Sequence, residues 1–575
     1  MTERPIEQWL SRYATNYHTW RADTSNGRKA YKRPLGLVET SFDTDGTAYG
    51  GRADMNALFT VEIRHNLSKA ELRNRIVLAW AALSLQHVML QSKVQDNENT
   101  GNREFVIEVQ DSVEDVLEEA QKSIVWVEDF YSEVDDEELY KHCLNVARIV
   151  EPSECLSRMH VLPLIKLSNG NFELRFLVIM AHEISDGLSA HNWFSHFLRI
   201  LNQHVSETKN DIDHFCTAES IQSRLPPAQE DLYPKIAGSK ARQRWFWALL
   251  RVLRHVRRNM SATFANPLRR ETRRTEAVSF PPKFSKIFDY SSGKKSPMNS
   301  GHMQAVLSKE ASTRMMDLCR SIKVSVGAGC FALAGIAMME LEEQRHPDVP
   351  DDQRQPFTAA FPLNPRAFFG FTTPADSCML AFSDGIVMPF LPSSLPIEGR
   401  FKLIAKIANR ELRMYQKRLK TTESSRAVSL DAHSPGRLLA QLYLLMLEIN
   451  GRKLPADRKL GFNPQGSLPA KTFQHGATCG VSSVGPTASY FQAGKYDLSE
   501  VGVVEGKDFA ADFAGFRIGV RARENEFLVG SSTNYDGIVG FGVSYDENAI
   551  SEEAANDWGR KIESLLEGGH EKSKL

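Results

Sequence analysis

The stretch NFELRFLVIMAHEISDGLSAHNWFSHFLRIL, residues 171–201, constrains this chain more than any other. It opens with alternating polar and apolar side chains and becomes continuously apolar over residues 176–181, the pattern of a strand whose end is buried on both faces. From Gly187 the period changes to that of a helix, with Leu188, Trp193, Phe194, Phe197 and Leu198 gathering on one side. The chain must therefore turn a strand-to-helix corner at residues 182–186. Such a corner puts His182 at the end of a rigid sheet, where it can be presented to a cleft.

His182 and Asp186 stand four positions apart across that corner, and the spacing admits three readings. They are partners in catalysis, ligands of a metal, or an ordinary turn in which Asp186 caps the helix and His182 ends the strand. About one His-x-x-x-Asp is expected by chance in a chain with 16 histidines, and this is its single occurrence here. Gly187, the apolar strand before the pair and the helix after it lift the pair above chance. No metal is expected: His191 and His196 would point along the helix away from the turn, and no Cys or Glu completes a ligand set.

At 575 residues the chain exceeds one ordinary core, so two lobes are expected. The first copy of a shared pattern is the strand NALFTVEIR at residues 56–64, followed by a helix whose start carries Ser68 and Glu71 in a capping box. The second begins at residue 302, again with a strand, the letters Leu307-Ser308-Lys309, and two helices. We divide the chain into an N-terminal lobe, 1–238, a basic crossover, 239–300, a C-terminal lobe, 301–570, and a tail, 571–575. Each lobe is read as α/β (α+β), a mixed sheet with flanking helices.

Net charge is −1, so no global field draws nucleic acid, and no apolar run approaches a membrane span. The N-terminal twenty residues lack the apolar region of a secretory signal, and seven cysteines scattered singly read as reduced thiols. Residues 239–275 hold ten arginines against one acid, Glu271, with Phe246, Leu249, Leu250, Leu253 and Val256 at helical spacing. Two readings stay open for this segment. One is a helix packed on the body with a solvated arginine face; the other is a weak contact with anionic lipid or with cofactor phosphates. The acidic stretch at residues 111–140 reads as a solvated helical face.

The residues His182-Glu183-Ile184-Ser185-Asp186-Gly187 resemble the HxxxDG motif of the acyl-CoA-dependent acyltransferase superfamily. That superfamily includes chloramphenicol acetyltransferase, plant BAHD enzymes, condensation domains of peptide synthetases and fungal trichothecene O-acetyltransferases. FPLNPRAFF, with Asn364 and Arg366, resembles its Asn-x-Arg strand; GVSSVGP at 480–486 resembles its Ser-Asn-x-Gly-type strand; residues 534–566 resemble its closing strands and last helix. CMLAFSDGIVMPFLP is similar to trichothecene 15-O-acetyltransferases in particular. Ala181 stands where condensation domains carry a first histidine, and Asp512-Phe513-Ala514-Gly515-Phe516 only loosely echoes the DFGWG of plant BAHD enzymes.

The resemblance implies two chloramphenicol-acetyltransferase-like lobes with an active-site channel at their interface. His182 would be the general base, Asp186 its structural partner, and Arg366 the counter-ion of Asp186. Gly187, Ser482 and Ser483 would line the channel for substrate and CoA, the serines being candidate oxyanion donors. Acyl-CoA or acetyl-CoA would be a co-substrate, with no bound cofactor, a small-molecule alcohol as acceptor and a monomeric enzyme. The chain ends in Ser573-Lys574-Leu575, the address read by the peroxisomal import receptor. Peroxisomal mannosylerythritol lipid acyltransferases also resemble this family. The expected function is therefore transfer of a short- or medium-chain acyl group to a hydroxyl of a fungal secondary metabolite, a glycolipid first. The alternatives are a trichothecene-type O-acetyltransferase and a condensation-type enzyme fed by a carrier protein.

Overall fold

Strand, cap and helix follow one another as the hydrophobic periods dictate. In a computed structural model, residues 9, 12–25, 27–98, 100–256, 262–291, 299–371, 373–419, 435–456, 459, 463–471 and 476–567 are described. The tripeptide Ser573-Lys574-Leu575 and the arginines at 257 and 258 lie outside them. In chain order, the strands of the two central sheets are β1 (Met55–His65), β2 (Ile124–Trp126), β3 (Ser157–Val161), β4 (Phe172–Met180), β5 (Ser300–Val306), β6 (Phe357–Ala360), β7 (Ile386–Met388), β8 (Cys479–Pro486), β9 (Phe509–Val520), β10 (Phe527–Thr533) and β11 (Val539–Asp546).

The first sheet runs β9-β1-β4-β3-β2 and the second β5-β11-β10-β8-β6-β7. Each carries its own hydrophobic core, one built around Phe59, Phe176 and Trp193, the other around Phe331, Val529 and Trp558. The chain is thus a mixed α/β protein of two lobes. Its lobes are not closed segments of sequence. β9, from the 301–570 stretch, pairs antiparallel with β1 from Phe509↔His65 to Val520↔Met55, so the C-terminal half completes the N-terminal sheet. Arg521, just past β9, is fully buried and donates to the carbonyls of Cys143 and Val146, which fixes the exchanged strand.

Six helices matter below: α1 (Leu37–Ala48), α2 (Lys69–Gln86), α3 (Gly187–Leu201), α4 (Lys240–Val256), α5 (Val326–Arg345) and α6 (Pro435–Lys453). Ser68 caps α2, accepting from Glu71 N at 3.3 Å while Glu71 accepts from Ser68 N at 2.8 Å. The matching Ser308 accepts from Ala311 N at 3.0 Å, so the serine cap recurs in the second lobe without the returning carboxylate.

The basic segment differs from its expected face. α4 buries Phe246, Trp247, Leu250 and Arg254, whereas Val256 is exposed. At 100° per residue, positions 247, 250 and 254 share a face and 256 lies opposite. Arg254 can enter the core because Glu448 accepts from both of its terminal nitrogens, at 2.8 and 2.9 Å, and Gln465 accepts a third bond at 2.8 Å. In the acidic stretch, Ser112 and Asp135 cap two short helices by accepting from Asp115 N and Glu138 N.

Candidate active site

β4 pairs with β1 up to Met180↔Met55, and the sheet ends there. The corner that follows is locked by Asp186. Its Oδ1 accepts from Leu188 N at 3.1 Å and Ser189 N at 3.0 Å, so Asp186 is the N-cap of α3. Its Oδ2 accepts from Arg366 Nη2 at 2.6 Å and from Met379 N at 3.1 Å. One carboxylate therefore closes the corner and ties it to the other lobe. Asp186 is 2% and Arg366 6% exposed, so this ion pair is an internal one.

The same corner seats the segment 375–379 of the C-terminal lobe. Asn192 Nδ2 donates to Ala375 O, Trp193 Nε1 to Asp376 Oδ1, and Cys378 N to Ile184 O, at 3.0–3.1 Å. Arg366 also donates to Ser377 O. The junction of the two lobes is thus built on the turn that carries His182.

His182 does not touch Asp186 through a hydrogen bond. Its ring lies flat on Phe42 of α1, with centroids 3.8 Å apart and planes 4° from parallel. Nδ1 is buried without a hydrogen-bond partner, while the residue as a whole keeps partial exposure. The open edge of the imidazole is therefore its Nε2 side. Burial lowers the His182 pKa from 6.5 to about 4, with the Arg523 charge acting in the same direction; backbone groups of His182 and Ser185 and the Asp186 charge oppose it. With Nδ1 buried and without a partner, Nε2 on the open edge is the nitrogen placed to accept a proton.

Behind this ring lies a charged layer that spacing in the sequence does not announce. Arg523 stands over the Phe42 ring at 5.5 Å and donates to Asp45 at 3.0 Å. Asp45 has no exposed surface and also pairs with Arg52 and Lys453. Glu183 is fully buried beside His182, its oxygens unbonded and Arg148 3.6 Å away. Burial, helped by Asp43 and Asp54 against Arg148, holds its carboxyl well above the usual range.

Of the other sequence-derived candidates, Gly187 meets Val484 of β8: a Cβ there would stand 3.4 Å from Val484 Cγ1. The neighbour is a side chain of the other lobe at ordinary van der Waals distance, so packing alone does not demand a glycine there. Ser483 Oγ faces Gly327 at the start of α5, 3.5 Å from where a Cβ would stand. Among the described residues neither Ser482 nor Ser483 is hydrogen-bonded to His182 through its hydroxyl; the Ser482 carbonyl accepts from Ser531 Oγ. His191 Nδ1 donates to Gly187 O at 2.6 Å, and its ring meets Tyr490, Phe491 and Phe516 at tilted or edge-on angles, away from the turn. Asp512 accepts from Gly494 N and Tyr496 N, holding the loop before β9. Among the described residues no three His, Cys, Asp or Glu side chains are grouped to hold a metal ion.

Two solved structures share this architecture over nearly the whole chain. Trichothecene 15-O-acetyltransferase TRI3 from Fusarium sporotrichioides is 11% identical with a TM-score of 0.63, covering 96% of this chain and 97% of that one. Its fold is the two-lobed, chloramphenicol-acetyltransferase-like fold. Holo-AB3403, a four-domain nonribosomal peptide synthetase bound to AMP and glycine, matches with a TM-score of 0.52 at 11% identity, over 95% of this chain and 33% of that one. No protein-family model and no curated relative matches the sequence.

In this fold the base candidate is positioned by stacking, which yields a pH prediction. The acid limb of kcat/KM should fall near pH 4, because the free ring stays neutral down to that value. Phe42→Leu removes the flat surface and should lower kcat by about ten-fold, since the ring then wanders and the imidazolium loses its π face. Initial rates across pH, with folding checked by circular dichroism at each point, test both. A limb near 6.5 in the parent protein would show that the ring is not buried as described.

Proposed function

We propose that this protein is an O-acyltransferase that moves an acyl group from acyl-CoA to a hydroxyl of a small-molecule acceptor. The observation that carries this reading is a neutral imidazole at the lobe junction, Nδ1 buried and Nε2 open, on a turn locked by Asp186 and Arg366. Nε2 of His182 takes the acceptor's proton as its oxygen attacks the thioester carbonyl. The tetrahedral adduct collapses, the carbon–sulfur bond breaks, and the proton passes from His182 to the leaving CoA sulfur. An ester and free CoA result. Holding both reactants at the junction of two lobes supplies the orientation that this step needs. Ser482 and Ser483 remain the proposed oxyanion donors.

As acceptor we favour a glycolipid hydroxyl, with a short- or medium-chain donor; a trichothecene-type alcohol is the alternative. Peroxisomal location belongs to the same proposal and rests on Ser573-Lys574-Leu575 alone. A donor on a carrier protein is the second reading, and Ala181 speaks against it because condensation domains carry a histidine there. The test is release of free CoA from acetyl-, short- and medium-chain acyl-CoA in the presence of each acceptor class, with the ester identified by mass spectrometry. A parallel arm uses acyl-loaded carrier protein. Ester formed from acyl-CoA supports the reading; thioester hydrolysis without ester in every arm overturns it.

A further inference from the structure

α4 has two apolar faces, and among the described residues only one is buried. On the inner face Trp247 packs against Trp9, Tyr13 and Tyr443, with ring centroids 5.2, 5.0 and 6.0 Å away. On the outer face Trp245 is 64% exposed, Val252 41% and Val256 60%. Positions 245, 252 and 256 fall within about 40° of arc on a helix, so these side chains form one ridge. The inner contacts hold that ridge in place, and α6, which supplies Tyr443, ends at Lys453 beside the charged layer behind His182.

An indole and two valines held out in water cost free energy, and singly they would need no explanation. Aligned on one helix they form a surface with a direction. Its flanks carry one sign of charge: Arg242 and Arg244 are exposed about 60° and 100° round the helix on either side, and the helix contains no acidic residue. A ridge is convex, and three side chains do not make the hydrophobic centre that a protein interface of ordinary size requires. A second copy of the same face would set cation against cation. A lipid surface has the complementary chemistry: indole rings settle at the headgroup level, valines reach the acyl boundary, and the basic flanks meet anionic headgroups.

We infer that the outer face of α4 is a docking surface for an anionic lipid bilayer, which it meets through Trp245, Val252 and Val256 with Arg242 on the headgroups. Docking itself does not depend on the acyl-transfer reading. Combined with that reading, it places the enzyme at the surface where an amphiphilic acceptor concentrates.

The full-length protein is sedimented with vesicles of phosphatidylcholine alone and of phosphatidylcholine mixed with phosphatidylserine, at low and high salt. Wild type is expected to pellet with the mixed vesicles at low salt and to be released by salt. Trp245→Ala combined with Val256→Ser, both on the outer face, should weaken partitioning by about ten-fold with an unchanged circular dichroism spectrum. Arg242→Glu should remove the preference for the mixed vesicles. The inference fails if wild type does not pellet with mixed vesicles at low salt, or if the double variant pellets equally well. It also fails if sedimentation velocity shows, in place of lipid binding, a dimer that the double variant abolishes, because the ridge would then be an interface between copies.

Discussion

Replacing His182 with alanine should leave a folded protein whose acyl transfer falls by about 10²–10⁴-fold, the range that a positioned general base supplies. Folding survives because the imidazole makes no hydrogen bond at Nδ1, so its removal orphans no buried partner. What is lost on the structural side is a single stack on Phe42, worth about 1 kcal/mol. The rate is lost because the nitrogen that takes the acceptor's proton goes with the side chain. Steady-state rates and thermal melting on the same preparation check this. A folded His182→Ala protein with near-normal turnover would sink the mechanism.

Asp186→Asn should act in the opposite proportion, with stability falling first and most. The asparagine oxygen can still cap α3, because Leu188 N and Ser189 N need only an acceptor. The other end of the side chain then turns an amide donor, or a neutral oxygen, towards Arg366 Nη2 and Met379 N. Arg366 is left as a buried cation without its counter-charge, a loss of about 3–5 kcal/mol for pairs of this kind. The lobe junction loosens with it, and activity drops because His182 rides on the same turn. Arg366→Met in the Asp186→Asn background should recover much of the melting temperature, since the orphaned charge is gone. If melting is unchanged in Asp186→Asn while the rate collapses, Asp186 takes a direct part in the chemistry and the division of labour drawn here is wrong.

Local signals were enough for the parts of this protein that depend on neighbours in sequence. The change from strand period to helix period around residue 182 gave the corner, and the Ser68-x-x-Glu71 pattern gave the cap, because backbone hydrogen bonding at a helix start is a local matter. The two-lobed architecture was also legible, from length and from the repeated strand-cap-helix order. Partners were not. Arg366 lies 180 positions from Asp186, and only family resemblance proposed it. Phe42 came from no pattern at all, because stacking on an imidazole leaves no period in a sequence. The inner face of α4 was misread for a related reason: an arginine enters a core only if an acid elsewhere in the chain meets it, and Glu448 does.

The sequence by itself determined which segments are strands and helices, where they are capped, and that a histidine stands at a strand end. Tertiary structure decided what that histidine is. Only the fold brings β9 across to complete the first sheet, sets Arg366 and Met379 on the carboxylate of Asp186, and lays Phe42 against the ring. The physical reason is that the basicity of an imidazole is fixed by what excludes water from it and by the charges nearby. Those groups come from three separate stretches of chain, at Phe42, residues 182–186 and Arg523, which meet only when both cores are closed.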